Sequence, residues 1–96
     1  MSKHHLKGFS SYTRRYIRWR DDYKCQFEGC NKYSNECHHL IPKRKAFNKG
    51  MRLDDINSPE NGIVLCRKHH EFMHKNGNWK YYLKYFRSLI ANNSRG

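Results

Sequence analysis

The sequence predicts a small α+β fold in which two short strands and a helix form a zinc-stapled ββα core between two flanking helices. Only 36% of the 96 residues are hydrophobic, so burial alone would give a small core. Four cysteines and seven histidines can supply a metal staple instead. Most of the histidines lie in residues 36–42 and 58–74. A cluster this dense is more typical of a metal or proton-transfer site than of scattered surface residues.

The N-terminal helix is predicted to begin at Ser10 or Ser11, either of which can cap it, and to end near Asp21. One face of this helix is aromatic, at the spacing i, i+4, i+7, i+11: Tyr12, Tyr16, Trp19 and Tyr23. Such a stripe more often packs in a core than serves as a platform for stacked bases, and we expect core packing here. Three arginines lie on the rest of the surface, where they can reach phosphates: Arg14, Arg15 and Arg18.

The middle of the chain reads as strand, loop, strand and helix. Residues 35–41 are predicted to form the first strand, which Pro42 ends, and residues 43–57 a long polar loop. Ser58 followed by Pro59 is a signal for the start of a helical turn. A short buried strand over residues 63–65 and a helix over residues 67–74 complete the unit.

The C-terminal helix follows Asn76-Gly77-Asn78 and has a regular apolar face: Trp79, Tyr82, Leu83, Phe86, Leu89 and Ile90. Lys80, Lys84 and Arg87 form the opposite face. We therefore expect a single domain over residues 1–96, with its core at about 22–75. The helical flanks are expected at about 10–21 and 78–91.

The net charge of +12 is concentrated at the two ends of the chain. Residues 1–20 and 72–96 carry basic side chains and no acidic ones, whereas residues 21–71 are nearly neutral. Two basic arms around a neutral centre indicate a nucleic-acid partner, held mainly through its phosphate backbone. Neither a signal peptide nor a membrane-spanning stretch is recognisable, so we expect reduced cysteines and no membrane.

Two close pairs of residues, which we call the first constellation, can together bind a structural zinc ion. Cys25-x4-Cys30 and Cys66-x2-His69 offer the four ligands that tetrahedral zinc requires. Cys37 competes for a ligand position, but it lies within the first predicted strand. We therefore interpret it as a small buried apolar residue.

A second set of side chains, the second constellation, remains: His38, His39, Asn61, His70 and His74. His70 and His74 are four residues apart on one helix, so their imidazoles face the same side and can share a metal. One strand histidine would complete a catalytic metal site, and the other would be free to act as a general base with a polar partner such as Asn61. The alternative is a second structural zinc, which would bury the histidines and leave no base.

Three stretches together resemble the HNH endonuclease family: His-His-Leu-Ile-Pro at 38–42, Pro-Glu-Asn-Gly-Ile-Val-Leu-Cys at 59–66, and Cys-x2-His-His-x3-His at 66–74. That family has the ββα-metal fold and cleaves DNA phosphodiester bonds with a divalent ion. The similarity covers about residues 10–75, and residues 20–25 resemble the same stretch of small phage HNH endonucleases. Relatives usually have a second Cys where this chain has His69.

The resemblance implies a role for each residue of the second set. His39 would be the general base, Asn61 would orient it, and His38, His70 and His74 would bind the catalytic ion. The ion would be Mg, Mn, Ni or Zn, and an imidazole-rich site suits transition metals better than Mg²⁺. The resemblance also implies a cytoplasmic protein of a bacterium or a phage-infected cell.

The leading interpretation is a metal-dependent DNA endonuclease that is a monomer or weak dimer. We expect phosphate contacts from eight basic residues: Arg14, Arg15, Arg18, Lys43, Arg44, Lys45, Lys80 and Lys84. Two alternatives stay open at this point. The first is a zinc-stabilised DNA-binding module without cleavage activity, and the second is an RNA-directed nuclease with the same site.

Overall fold

The computed structural model describes residues 6–93 and confirms a small α+β fold. The elements in chain order are α1 (Ser11–Arg20), β1 (Cys37–His39), α2 (Lys43–Asn48), α3 (Leu53–Ile56), β2 (Gly62–Val64), α4 (Arg67–His74) and α5 (Trp79–Asn93). Single 3₁₀ turns precede β2 and follow α4. Strand, strand and helix therefore follow one another as a ββα unit between α1 and α5.

The sheet consists of two antiparallel strands of three residues each. Cys37 pairs with Val64, His38 with Ile63, and His39 with Gly62. Strand β1 is shorter than the predicted range 35–41, and β2 is displaced by one residue from the predicted range 63–65. A two-stranded sheet of this size is marginal by itself, so packing around it must hold it in place.

Helix α1 begins where Ser10 caps it, with the Ser10 hydroxyl accepting a hydrogen bond from the Thr13 backbone N–H. The prediction that the aromatic stripe of this helix packs in the core is wrong. Tyr12 is 79% exposed and Trp19 is 48% exposed, while Ile17 is fully buried. The reason is that the side of α1 that faces the sheet carries Ile17 and Arg20, which leaves the aromatic stripe turned outward.

Arg20 and Asp21 join the end of α1 to β2 through a buried network. Arg20 makes two hydrogen bonds to the Asp21 carboxylate and donates further bonds to the carbonyl oxygens of Pro59 and Gly62, at 2.9 and 2.7 Å. The Asp21 carboxylate accepts the backbone N–H of Val64 at 2.9 Å. These side chains provide hydrogen-bond partners for the backbone groups on the edge of β2 that no strand covers.

Gly62 creates the space that brings the N-terminal segment onto the sheet. A Cβ atom at this position would lie 2.5 Å from Ile17 Cδ1 and 2.7 Å from Phe9 Cζ. Phe9, Ile17 and Val64 form a buried cluster on this side of the sheet, with the half-buried Cys37 against it. Because Gly62 pairs with His39, the ring of Phe9 also lies against His39.

The segment at 43–57 is not the long polar loop that the sequence predicts, because α2 and α3 lie within it. Ala46 of α2 and Ile56 of α3 pack with Ile41 in a small buried cluster. Each of these short helices has two apolar residues and buries only one of them, which is too weak a pattern to predict a helix from periodicity. The turn that starts at Ser58 forms as predicted, since the Ser58 hydroxyl accepts the Glu60 N–H.

Helix α5 packs its apolar face against α4 and the loop that contains Cys25 and Cys30. Phe86 and Ile90 are buried in the largest cluster, which also contains Ile63, Leu65 and Met73. Within residues 6–93, no helix is long and apolar enough to cross a membrane.

Arg20→Ala should destabilise the fold by about 3–5 kcal/mol, because it leaves the buried Asp21 carboxylate without its counter-charge. Denaturant unfolding of the zinc-loaded protein measures this. Arg15→Ala is the matched control, since Arg15 is an exposed arginine of the same helix, and it should change stability by no more than about 0.5 kcal/mol. Equal stabilities for the two variants would contradict the role given to the network.

Candidate active site and metal centre

The first constellation forms one cluster at the start of α4. The ligand atoms of Cys25, Cys30, Cys66 and His69 all lie within 4.8 Å of one another. His69 Nδ1 is 3.5 Å from Cys25 Sγ and 3.3 Å from Cys66 Sγ. All four cysteines of the chain are free thiols, so none is committed to a disulfide. The Cys3His donor set fits zinc.

The surroundings of this cluster favour a bound cation. Burial raises the pKa of the Cys25 thiol to about 11, so this sulfur becomes a thiolate at neutral pH only beside a cation. The Phe27 ring stacks on the His69 imidazole, with ring centroids 4.1 Å apart, and holds its orientation. Cys37 stays outside the cluster, as predicted, and its Sγ lies 3.6 Å from the Arg14 carbonyl oxygen.

Three histidines of the second constellation meet ring to ring at the other side of α4. The imidazole of His38 stacks on that of His70, with centroids 3.7 Å apart, and His70 lies 4.5 Å from His74. Among the described side chains, only His70 has a buried nitrogen, Nδ1, without a hydrogen-bond partner. A buried nitrogen without a hydrogen-bond partner, beside two further imidazoles, is available as a metal ligand.

Two of these imidazoles, those of His38 and His70, are held in the neutral form that binds metal. Burial, followed by the neighbouring His70 and His74, lowers the pKa of His38 to about 3. Burial also lowers the pKa of His70. Glu36 lies against this group: its carboxylate is 3.2 Å from His38 Nε2 and 3.5 Å from the Arg67 guanidinium. A carboxylate at the rear of a ligating histidine typically fixes the orientation of the ring.

His39 points away from His38, as alternation along a strand requires, and lies between Phe9 and Asn57. The rings of Phe9 and His39 stack with centroids 3.9 Å apart and planes inclined by 6°. His39 Nε2 is 2.8 Å from Asn57 Oδ1. Burial lowers the pKa of His39, so its imidazole is neutral at pH 7.

The orientation of the Asn57 amide is fixed from its other side. Its Nδ2 donates a hydrogen bond of 2.9 Å to the backbone carbonyl of Lys7, so Oδ1 must face His39. An amide oxygen only accepts, and His39 therefore carries its proton on Nε2. Nδ1 keeps the lone pair with which the ring can take up a proton.

Asn61 does not touch the imidazole of His39, in contrast to the contact that the sequence analysis pictured. It is buried, and its amide bonds the backbone of Ile41 twice and the carbonyl of Ile56 at 2.9 Å. Its own carbonyl accepts the Leu40 N–H. Asn61 therefore holds the chain immediately after His39, and its effect on the imidazole is indirect.

Both strand histidines nevertheless reach one pocket. His38, His39, His70 and His74 line it together with apolar side chains that include Trp79. The strand ends at His39, so residues from both of its faces border the space at its end. A candidate base and three candidate ligands therefore line the same pocket.

The basic residues predicted to contact phosphate differ in their surroundings. Arg14, Arg18 and Lys43 each donate to a backbone carbonyl, of Phe9, Asn35 and Leu6 respectively. Arg44 lies over the Phe47 ring. The remaining four are exposed: Arg15, Lys45, Lys80 and Lys84. Lys43 is also close enough to His39 for its charge to lower the pKa of that imidazole.

A family model described as HNH endonuclease matches residues 25–75, from the first cysteine of the zinc cluster to just beyond His74. The chain belongs to the HNH endonuclease family. Membership implies a nuclease that binds metal and acts on nucleic acid. No curated protein matches the chain.

Several residues that contact the candidate site, or support the strand that carries it, were not predicted from the sequence: Phe9, Glu36, Asn57 and the Arg20–Asp21 pair. For Glu36 a signal was present, because a carboxylate two residues before a ligand candidate is a plausible partner for it. For Asn57 and Phe9 there was none, since their contacts with His39 depend on how α3 and the N-terminal segment fold back.

Cys25→Ala and Cys66→Ala should lose zinc and melt at a much lower temperature, or fail to fold, because a structural zinc site contributes on the order of 10 kcal/mol in small domains. Cys37→Ala is the control, as it removes a thiol that lies outside the cluster, and it should retain zinc. Metal analysis and thermal melts of the three variants decide the point. Full zinc content in either cluster variant would contradict the assignment.

Proposed function

We propose that this chain is a metal-dependent DNA endonuclease in which His39 is the general base that activates water. The observation that carries the proposal is the pocket at the end of β1, where an oriented neutral imidazole opens on the same space as three further imidazoles. The family supplies the reaction class, the hydrolysis of a phosphodiester bond. The chain then contributes a base, ligands and a basic surface.

His39 suits the role of base because its environment decides which nitrogen is available. Asn57, held by the Lys7 carbonyl, accepts a hydrogen bond from His39 Nε2–H and leaves the Nδ1 lone pair for water. Phe9 covers one face of the ring and limits its rotation. A base with a lowered pKa is unprotonated at neutral pH, and a positioned base of this kind is worth roughly 10²–10⁴ in rate.

His38, His70 and His74 would hold the catalytic divalent ion. When bound, such an ion supplies positive charge next to the scissile phosphate and the leaving oxygen. Glu36 would keep the His38 ring oriented toward it. Zinc in the Cys3His cluster would be purely structural, because four protein ligands leave no open position for substrate.

DNA is proposed as the substrate, bound mainly through its phosphates by the exposed basic residues Arg15, Lys45, Lys80 and Lys84, as well as Arg44. Lys80 and Lys84 line one groove on α5 together with Arg87. Arg14, Arg18 and Lys43 donate hydrogen bonds to backbone carbonyls. We therefore assign them mainly to holding the N-terminal segment and the chain at Asn35 in place, and only secondarily to binding phosphate.

His39→Ala should lower the single-turnover cleavage rate of a labelled duplex by about 10²–10⁴, while zinc content, melting temperature and DNA affinity stay unchanged. His38→Ala should instead weaken binding of the catalytic ion, and excess ion should restore part of its activity. A His39→Ala protein that cuts at the wild-type rate would overturn the assignment of the base. DNA binding without scission by the wild-type protein would leave only a binding module.

Asn57→Ala and Asn61→Ala provide a matched pair within this experiment. Asn57→Ala should slow cleavage by up to about 10²-fold through a misplaced imidazole, and the fold should stand. Asn61→Ala should mainly lower stability, by about 1–3 kcal/mol or more, because it leaves buried backbone groups of Ile41 and Ile56 unpaired. If Asn61→Ala instead slowed cleavage at full stability, the direct orienting role predicted from the sequence would be restored.

A further inference from the structure

Helix α1 has an outward aromatic face that neither the core nor the proposed site uses. We define the α1 aromatic face as Tyr12, Arg15, Tyr16 and Trp19. The Tyr16 and Trp19 rings are neighbours, with centroids 5.9 Å apart, and Tyr12 lies one turn before Tyr16. The Tyr12 and Trp19 rings are exposed and the Tyr16 ring is half-buried, while Ile17 and Arg20 attach the helix to the sheet.

The spacing on this face alternates aromatic rings with a positive charge. Arg15 is three residues after Tyr12 and four before Trp19, so it lies on the same side of the helix as both. It makes no hydrogen bond or ion pair with any residue in 6–93. At a rise of about 1.5 Å per residue, Tyr12 and Trp19 are about 10 Å apart along the axis, with Tyr16 between them.

We propose that the α1 aromatic face binds a single-stranded DNA segment adjoining the site of cleavage. Bases in a duplex are already stacked and paired, so exposed rings of this kind gain most from unpaired bases, while a cation between them takes a phosphate. Helix α1 itself carries four arginines and no acid, which matches a polyanion. The proposal rests on the proposed function only in taking His39 as the place where the bound DNA is cut.

The neighbours of the face indicate how such a strand would run. Phe9, which stacks on His39, is three residues before Tyr12, so only a short stretch of chain separates the face from the residue that contacts the proposed base. Along one side of the face, Tyr12 and Tyr16 share a groove with Pro59, Glu60 and Ile90. The Glu60 carboxylate repels phosphate from that side, so the phosphates belong on the Arg15 side and the bases over the rings.

The test uses full-length protein carrying His39→Ala, which prevents cutting, and Trp79→Phe, which leaves Trp19 as the reporting indole. Oligo(dT) of about ten nucleotides, within the usual site size, should quench Trp19 fluorescence. In anisotropy titrations, Tyr12→Ala or Trp19→Ala should weaken oligo(dT) binding on the order of 5- to 100-fold. Binding of a blunt duplex should change less than about two-fold.

Tyr81→Ala is the control, since Tyr81 is 80% exposed on α5, which also carries basic side chains and no acidic ones. It should leave oligo(dT) affinity unchanged. An equal loss for Tyr81→Ala, or an equal loss of duplex affinity for the α1 variants, would overturn the proposal, as would tighter binding of oligo(U) than of oligo(dT). Because the readout is binding without cleavage, these outcomes are independent of whether His39 is the base.

Discussion

The outer edge of β2 is paired with two side chains and one backbone N–H instead of a third strand, and the rest of the structure depends on this. Arg20 binds the Gly62 carbonyl, Asp21 binds the Val64 N–H, and the Gln26 N–H binds the Val64 carbonyl at 3.0 Å. With β1 on the other side, a strand of three residues is bonded along both edges. The same contacts fix α1 against the sheet, and the position of α1 in turn brings Phe9 onto His39.

Helix α4 serves both constellations from different sides. Cys66 at its N-terminus and His69 in its first turn belong to the zinc cluster, and His70 and His74 face the pocket at the end of β1. A zinc ion held by the Cys3His cluster would fix the start of α4 and with it His70 and His74, which follow His69 by one and five residues. This explains why a domain with so few buried apolar residues can hold a pocket in a defined shape.

The sequence was sufficient for the features that depend on spacing along the chain. The Cys-x4-Cys and Cys-x2-His pairs, the helix with His70 and His74, and the family were predicted correctly. What could not be predicted depends on contacts between distant segments. The inward face of α1 was misjudged because Ile17 and a buried Arg20 outweigh an aromatic stripe once Asp21 supplies the counter-charge. Likewise, Asn57 became the partner of His39 only because α3 forms within a stretch that lacks periodicity.

The central claim is that structural zinc and a separate catalytic ion occupy opposite sides of α4. The most direct measurement titrates Mn²⁺, Ni²⁺ or Mg²⁺ into zinc-loaded wild-type protein and follows bound metal and the relaxation of supercoiled plasmid together. The account predicts that a second ion binds without displacing zinc and that strand scission appears in proportion to it. Scission that requires loss of zinc, or no scission with any ion despite its binding, would contradict the claim.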